Sequence, residues 1–512
     1  MSTAIPAQLQ LRPLRAKPGL EQAASPLSDW LPFVFLALHI PMALLLSRST
    51  QVSTLHGVLT AAVGVWLAVR SGKHPERVAY AAAYVVGAEV LWRMTRSDVY
   101  WEFGKYAISG IFLIHLMLNR PRKLPSAPLL YLGLLMPSTF ITLMSVGDYL
   151  ELHKALSFYL SGPLALTVAW CFFSQLKLST KQLQHMFFAL LCPTLGVATV
   201  ALSGTLTVSR LAFTSESNIA TSGGFGPNQV SGALGLGAVC ALIWLVTSKH
   251  GWIKKFLIFS LLAVLASQAA LTFSRGGLYN AAGSSIVALC FFLKDRQSRG
   301  RMIMAIGAIV LVGSFVILPN LDEFTGGALS ARFKDVGVSK RDAIVRSDLN
   351  LWMENPVLGV GVGMAAVGRN MPHTEITRLL AEHGLFGLTA LGVLLISSVQ
   401  AVIRARGNKG KAVASSMVAF TLLFTLDKAM RLAAPSFTFG LAFAMLIPDE
   451  DPRRRKRRRS RSITGRRNLM NLRRRLPGRT SHRRGDESFN EQIESTVIAC
   501  TWPPATHQSP TP

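Results

Sequence analysis

Acidic residues are scarce in this chain. Its 512 residues hold 26 Asp+Glu against 54 Lys+Arg, a formal net charge of +28, and only 16% are charged at all. Cysteine is also sparse. Cys171, Cys192, Cys240, Cys290 and Cys500 are scattered and none belongs to a CxxC pair. That pattern suggests neither a disulfide framework nor a zinc site. No internal repeat is visible. The glycine-rich run "GVGVG" (359–363) fits neither GxGxxG nor GxxxxGK[ST], so it is not a phosphate-loop fingerprint. The two histidines of "HTEITRLLAEH" (373–383) are not spaced as HExxH, which argues against a metalloprotease.

What is abundant is apolar sequence, half of the chain. It comes in blocks such as "WLPFVFLALHIPMALLLS" (30–47), "LIFSLLAVLASQAALTF" (257–273) and "MIMAIGAIVLVGSFVILP" (302–319). Each is long enough to cross a bilayer core of about 30 Å. The expectation is an all-α polytopic membrane protein. Fourteen spans are read, roughly 30–47, 53–69, 78–93, 102–119, 127–146, 157–174, 184–206, 228–247, 256–273, 277–293, 302–319, 380–402, 412–428 and 432–447. The first block follows a polar leader and is long enough to stay as a helix, so no cleavable signal is expected.

Lys and Arg set the orientation. With the N-terminus inside, the inside connections are "RSGKHPER" (70–77), "RPRK" (120–123), "QLKLSTKQ" (175–182), "SKHGWIKK" (248–255), "KDRQSRGR" (294–301) and "RARGNKGK" (404–411). All are short and basic. Both termini are then cytoplasmic. From Arg453 onward the tail carries 16 Lys+Arg against 4 Asp+Glu. Its composition predicts disorder. "RRRKRRRSR" (453–461) suits anionic lipid headgroups or serves as a topology anchor. Nothing folded accompanies it, so no nucleic-acid partner is expected. The organisation is a cytoplasmic segment 1–29, spans 30–204, a region 205–447 containing a long outer loop 320–379, and a basic tail 448–512.

Loops as long as 320–379 usually have a task. Within it, "SKRDAIVRSDLNLWMENP" (339–356) reads as a helix capped by Ser339, with Asp342 in its first turn and Pro356 as its stop. Val345, Leu349 and Trp352 form one apolar face, suited to the membrane interface. The glycines of 359–363 let the chain fold back towards the spans. A second helix starts after Pro372 and Thr374. Along it Glu375, Arg378 and Glu382 share a face, where Arg378 can pair with both carboxylates. His373 sits just before this helix, at the positive end of its dipole, which disfavours imidazolium and attracts anions. A neutral imidazole beside an anion site suits transfer from a phosphate ester; the plain alternative is a surface histidine at a loop end.

Few other polar groups share this side. Arg275, in "LTFSRGGL", stands between two spans with almost no loop, and needs a partner, an anion or access to the surface. Arg210 is another candidate. Asn228 and Gln229 open a span, where amides cap the helix or hydrogen-bond a sugar. Ionisable residues near mid-membrane, which a transporter usually wants, are few besides Glu89.

"WMENPVLGVGVG" (352–363) followed by "PHTEITRLLAEHGLFGL" (372–388) resembles the signature region of the O-antigen ligase and O-antigen polymerase superfamily. "TFSRGG" (272–277) resembles that family's Ser-Arg motif two spans earlier, and the likeness covers roughly residues 205–430. The resemblance implies a membrane-embedded glycosyltransferase of the C type. Its members need no metal or cofactor. They pass a glycan from an undecaprenyl-diphosphate carrier to a lipid or glycan acceptor at the outer face of the bacterial inner membrane. It implies that His373 assists acceptor attack and that Arg275 holds the diphosphate. A second loop arginine matches Arg341 loosely, with Arg332 or Arg346 as alternatives. Where the family often has His-Asn, this chain has His373-Thr374. Glu375, Arg378, Arg210, Asn228 and Gln229 are the supporting or glycan-contacting candidates. The polymerase differs from the ligase only in its acceptor, and a transporter is the rival from another class.

Overall fold

The computed structural model describes residues 30–121, 123–207, 213, 216–334, 341–367 and 371–447. Arg210, Ser339 and the basic tail lie outside the described residues. The helices in order are α1 (Leu31–Arg48), α2 (Thr50–Arg70), α3 (Pro75–Met94), α4 (Phe103–Asn119), α5 (Ser126–Leu135), α6 (Pro137–Ser145), α7 (Tyr149–Phe173), α8 (Thr180–Thr207) and α9 (Pro227–Thr247). There follow α10 (Trp252–Leu271), α11 (Arg275–Phe292), α12 (Arg299–Val312), α13 (Leu318–Phe324), α14 (Ala328–Lys334), α15 (Arg341–Glu354), α16 (Glu375–Arg404), α17 (Gly407–Asp427) and α18 (Ala434–Leu441). Two short strands, β1 (Lys177–Ser179) and β2 (Met445–Ile447), pair in parallel.

Among the described residues, ten helices are long and apolar enough to cross a membrane, counting α5 with α6 and α12 with α13 as single rods. The π-helical turn Gly313–Ile317 joins the latter pair. α4 is apolar but shorter. α3 and α11 coincide with predicted spans yet are less apolar. The first carries Glu76, Arg77, Glu89 and Arg93, and the second is rich in small and polar residues. The span expected at 432–447 is not one helix. Pro435 opens the eight-residue α18, Gly440 crosses closely against Ala169, and the chain then leaves the helix to pair as β2.

α9 forms the centre: every residue from Val230 to Thr247 is buried. Its small residues allow close neighbours, since a Cβ on Gly235 would lie 2.3 Å from the Gly277 carbonyl of α11. α1, α2, α12 and the π-helical turn after it instead present Leu38, Leu59, Met304 and Phe315 outward, the apolar surface a lipid-facing helix needs.

The basic connections gather at one end. Gln175 donates to the Lys123 carbonyl, Arg301 to Ser248, Asn408 to Lys294, and Lys409 to Gln297. Gly410 approaches Leu446, and β2 lies beside β1 in the 175–182 connection. The opposite end carries residues 272–275, α14, α15, the start of α16 and the 428–433 connection.

Candidate functional site

Two small cavities at that opposite end share Asn228 as a wall. The first, of about 350 Å³, is lined by Asn228, Ser274, Arg275, Asn280, Arg332 and Asp427 among others. The turn that delivers Arg275 is tight. Phe273 adopts φ 57°, a left-handed conformation rare for an aromatic residue, and is fully buried against Phe213. Such conformations persist only where surrounding structure imposes them. Ser274 then donates to the Asn228 side chain (2.7 Å), while its carbonyl accepts from Ser231 (2.8 Å). Gly276 and Gly277 have no room for a side chain. A Cβ on Gly276 would sit 1.8 Å from Asp427 Oδ2, and one on Gly277 would sit 2.0 Å from the Ser231 carbonyl. The glycines therefore bring α9, α11 and the end of α17 together beneath Arg275. Arg332, half-buried on α14, reaches back to the Phe273 carbonyl (3.3 Å).

The second cavity, of about 180 Å³, is lined by Asn228, Gln229, His373, Lys428 and Arg431 with neighbouring apolar groups. His373 is placed from both sides. Thr374 caps α16 by accepting from Thr377 N, and the His373 carbonyl accepts from Ala429 N at 2.8 Å. The 428–433 connection is itself clamped by charged side chains from other helices. Glu89 accepts from Ala433 N (2.7 Å), Glu375 accepts from Met430 N (3.0 Å), and Lys105 donates to the Met430 carbonyl (3.2 Å). Arg93 donates to the Arg431 carbonyl (3.1 Å), to Gln229 Oε1 (2.5 Å), and to Glu89 (2.8 Å). Lys428 donates to the Asn228 carbonyl (2.8 Å) and Arg431 to the Pro372 carbonyl (3.2 Å). Burial lowers the Arg431 pKa from its ordinary value. A guanidinium stays charged in proteins, and one withdrawn from water gains from a bound anion.

The long loop is tied to α16 at a break. Gly384 has φ 56° and ψ −132°, outside helical geometry, and the helical ladder fails there. The preceding carbonyls find donors in the glycine run: Val360 N bonds Ala381 O (2.9 Å) and Gly361 N bonds Glu382 O (3.1 Å). Gly359, Gly361 and Gly363 all have positive φ, and a Cβ on Gly359 would be 2.3 Å from the Glu382 backbone. The glycines of 359–363 are thus needed to fold the loop flat onto the kink. Arg378 is buried between Glu375 and Glu382 and pairs with both. Glu375 and Arg378 therefore support the start of α16 from within. His383 turns into the core, where its Nδ1 meets Ser138 Oγ at 2.5 Å.

α15 buries a different face from the one its pattern suggested. Asp348 and Leu351 are buried, with Asp348 accepting from Thr377 of α16 (2.6 Å), while Val345, Leu349 and Trp352 are half-buried. A polar anchor to α16 turns the helix. Of the loop arginines, Arg332 lines the Arg275 cavity, Arg346 is exposed, and Arg341 is the first residue of α15. The structure thus brings Arg275 and Asn228 into one cavity and His373, Asn228 and Gln229 into the next. Sequence reasoning missed Lys428, Arg431, Arg93 and Lys105. The available signal was their sign: the positive-inside pattern disfavours Lys428 and Arg431 in a short connection at this end, and Arg93 and Lys105 are charges inside predicted spans.

Comparison with known families agrees with the motifs. Residues 261–392 match the family model Wzy_C, described as O-antigen ligase. That segment contains Arg275, Arg332, Arg341, His373, Glu375 and Arg378. The protein is thus a polytopic membrane protein of polysaccharide biosynthesis. Over residues 261–392 it is similar to the O-antigen ligase family. No curated protein matches the chain.

Proposed function

We propose that this protein transfers a glycan from an undecaprenyl-diphosphate carrier to an acceptor hydroxyl at the outer face of the inner membrane, as a ligase of the O-antigen type. The observation that carries the reading is the shared wall at Asn228. It sets the Arg275–Arg332 cavity beside the one lined by His373. Arg275 and Arg332 would bind the diphosphate, each presenting a fork of N–H donors to its oxygens. Arg332 replaces Arg341 in this role. The acceptor oxygen attacks the anomeric carbon as the bond from that carbon to the carrier phosphate breaks. The electron pair leaves with the diphosphate, where the guanidiniums stabilise it. His373 accepts the hydroxyl proton and returns it to solvent. Positioned general bases contribute about 10²–10⁴-fold.

Orientation follows from the single basic end, which the positive-inside rule assigns to the cytoplasm. Fourteen crossings, with the last completed by α18 and β2, then put both termini inside and the site outside.

Replacing His373 and, separately, Arg275 by Ala in the native host tests the reading. Gel profiles of surface and lipid-linked glycans, at matched membrane levels of protein, should show loss of the finished conjugate and accumulation of full-length lipid-linked chains. Accumulation of single repeat units instead identifies a polymerase. Unchanged glycans in both variants reject transfer.

A further inference from the structure

A third cavity, of about 1050 Å³, lies outside the two described above. It is built mainly by the α3–α4 connection, α4 and the start of α7, all before the segment that matches the ligase family. The far side is bounded by Gly363, Ala366, Val367 and Met371, the last of these two residues before His373. Tyr100, Trp101, Tyr106, Phe158 and Tyr159 supply ring surface. Three of these rings are each held by a cation: Trp101 by Arg93 (4.6 Å), Phe158 by Lys105 (5.6 Å) and Tyr159 by Arg378 (5.6 Å). Tyr100 and Trp101 remain 57% and 45% exposed, so their surfaces are open to a ligand.

The polar groups of the wall include Glu102, Glu151, His153, Lys154 and Ser157. Glu102 lines the cavity and is only 5% exposed. Its Oε2 is bound by Lys105 and accepts from Ser161 (3.2 Å), but its Oε1 has no hydrogen-bond partner. A buried carboxylate oxygen without a donor is costly. An acyl chain would leave it so. A sugar would offer hydroxyls to the polar side chains of this wall, while the apolar C–H face of its ring packs on Tyr or Trp. The volume, at the upper end of the usual range of about 300–1,000 Å³, suits an oligosaccharide more than one sugar.

We infer that this cavity is the binding site for the carbohydrate of the acceptor, recognised by the Tyr100–Trp101 aromatic surface and Glu102. The inference rests on the transfer reading in calling that sugar the acceptor. The arrangement is consistent with it. Arg93, stacked on Trp101, also bonds Gln229 of the His373 cavity. His373 therefore lies between the arginines on one side and the proposed sugar site on the other.

The test uses full-length protein in nanodiscs of phosphatidylethanolamine and phosphatidylglycerol. The probe is the oligosaccharide released by mild acid from the host's surface glycolipid, with inorganic pyrophosphate as comparator. Titration calorimetry should show oligosaccharide binding that weakens about tenfold in Trp101→Ala, the effect of losing one aromatic wall. Binding should also weaken in the exposed-site variant His153→Ala, which guards against misfolding of the first. His373→Ala should bind the oligosaccharide normally, and Trp101→Ala should leave pyrophosphate binding unchanged. Equal oligosaccharide binding by wild type and both wall variants overturns the inference. So does displacement of the sugar by lysophospholipid, which would make this a lipid pocket. If His373→Ala keeps normal glycan transfer in the host while Trp101→Ala still loses the sugar, the transfer reading falls and the sugar site stands.

Discussion

At the scale of single residues, the account depends on which arginine joins Arg275. Arg332 lines its cavity, so Arg332→Ala should lower transfer about 10²-fold or more, the usual cost of losing one donor to developing negative charge. Arg332→Lys should restore little, because an ammonium lacks the bidentate fork. Initial rates on membranes of matched protein content check both, and full activity in Arg332→Lys would show that charge alone suffices. That Arg275 and His373 stand at the ends of spans was legible in the sequence, because each sits in a short motif beside an apolar block. The place of Lys428 and Arg431 was not. They lie in a plain six-residue connection, and only folding reveals that Glu89, Arg93, Lys105 and Glu375 converge on its backbone.

At the scale of elements, α16 is the organising piece. Its start was legible from Thr374 and the Glu375–Arg378–Glu382 spacing, since both are local properties of a helix. Its break at Gly384 was not, because a glycine in an apolar run gives no sign of which partner will dock there. Gly384→Ala should cost about 1–3 kcal/mol from backbone strain alone. The new Cβ would also lie 2.6 Å from the Val357 backbone, so the 357–363 loop should detach. Protease sensitivity of that loop in detergent checks this, and an unchanged cleavage pattern would contradict the proposed docking. Arg378→Met should destabilise by about 3–5 kcal/mol, since it leaves Glu375 and Glu382 buried without their cation. A thermal unfolding scan measures it. A neutral result would mean that the carboxylates protonate or find other donors. The face of α15 was misread for a related reason: hydrophobic periodicity ignores a buried Asp348 that bonds Thr377.

At the scale of the whole molecule, the architecture was legible from two coarse signals, the length of the apolar blocks and the placement of Lys and Arg. The basic connections do converge on one end through side-chain to backbone bonds. The last span escaped this reading because apolar composition does not distinguish a continuous helix from α18 followed by β2. Single cysteines in a cysteine-free background test orientation. A membrane-impermeant maleimide added to intact spheroplasts should label Glu323→Cys and spare Lys123→Cys and Arg406→Cys. The reverse pattern would invert the topology and place the cavities on the cytoplasmic side.

The central claim is that His373 and its neighbouring arginines move a glycan off a lipid diphosphate. The most direct measurement is release of undecaprenyl diphosphate by purified protein in proteoliposomes, given a lipid-diphosphate-linked glycan with and without acceptor. Acceptor-dependent release by the wild type, falling about 10²–10⁴-fold in His373→Ala, is the predicted result. Equal release by wild type and variant, or none by the wild type with both substrates present, would contradict it.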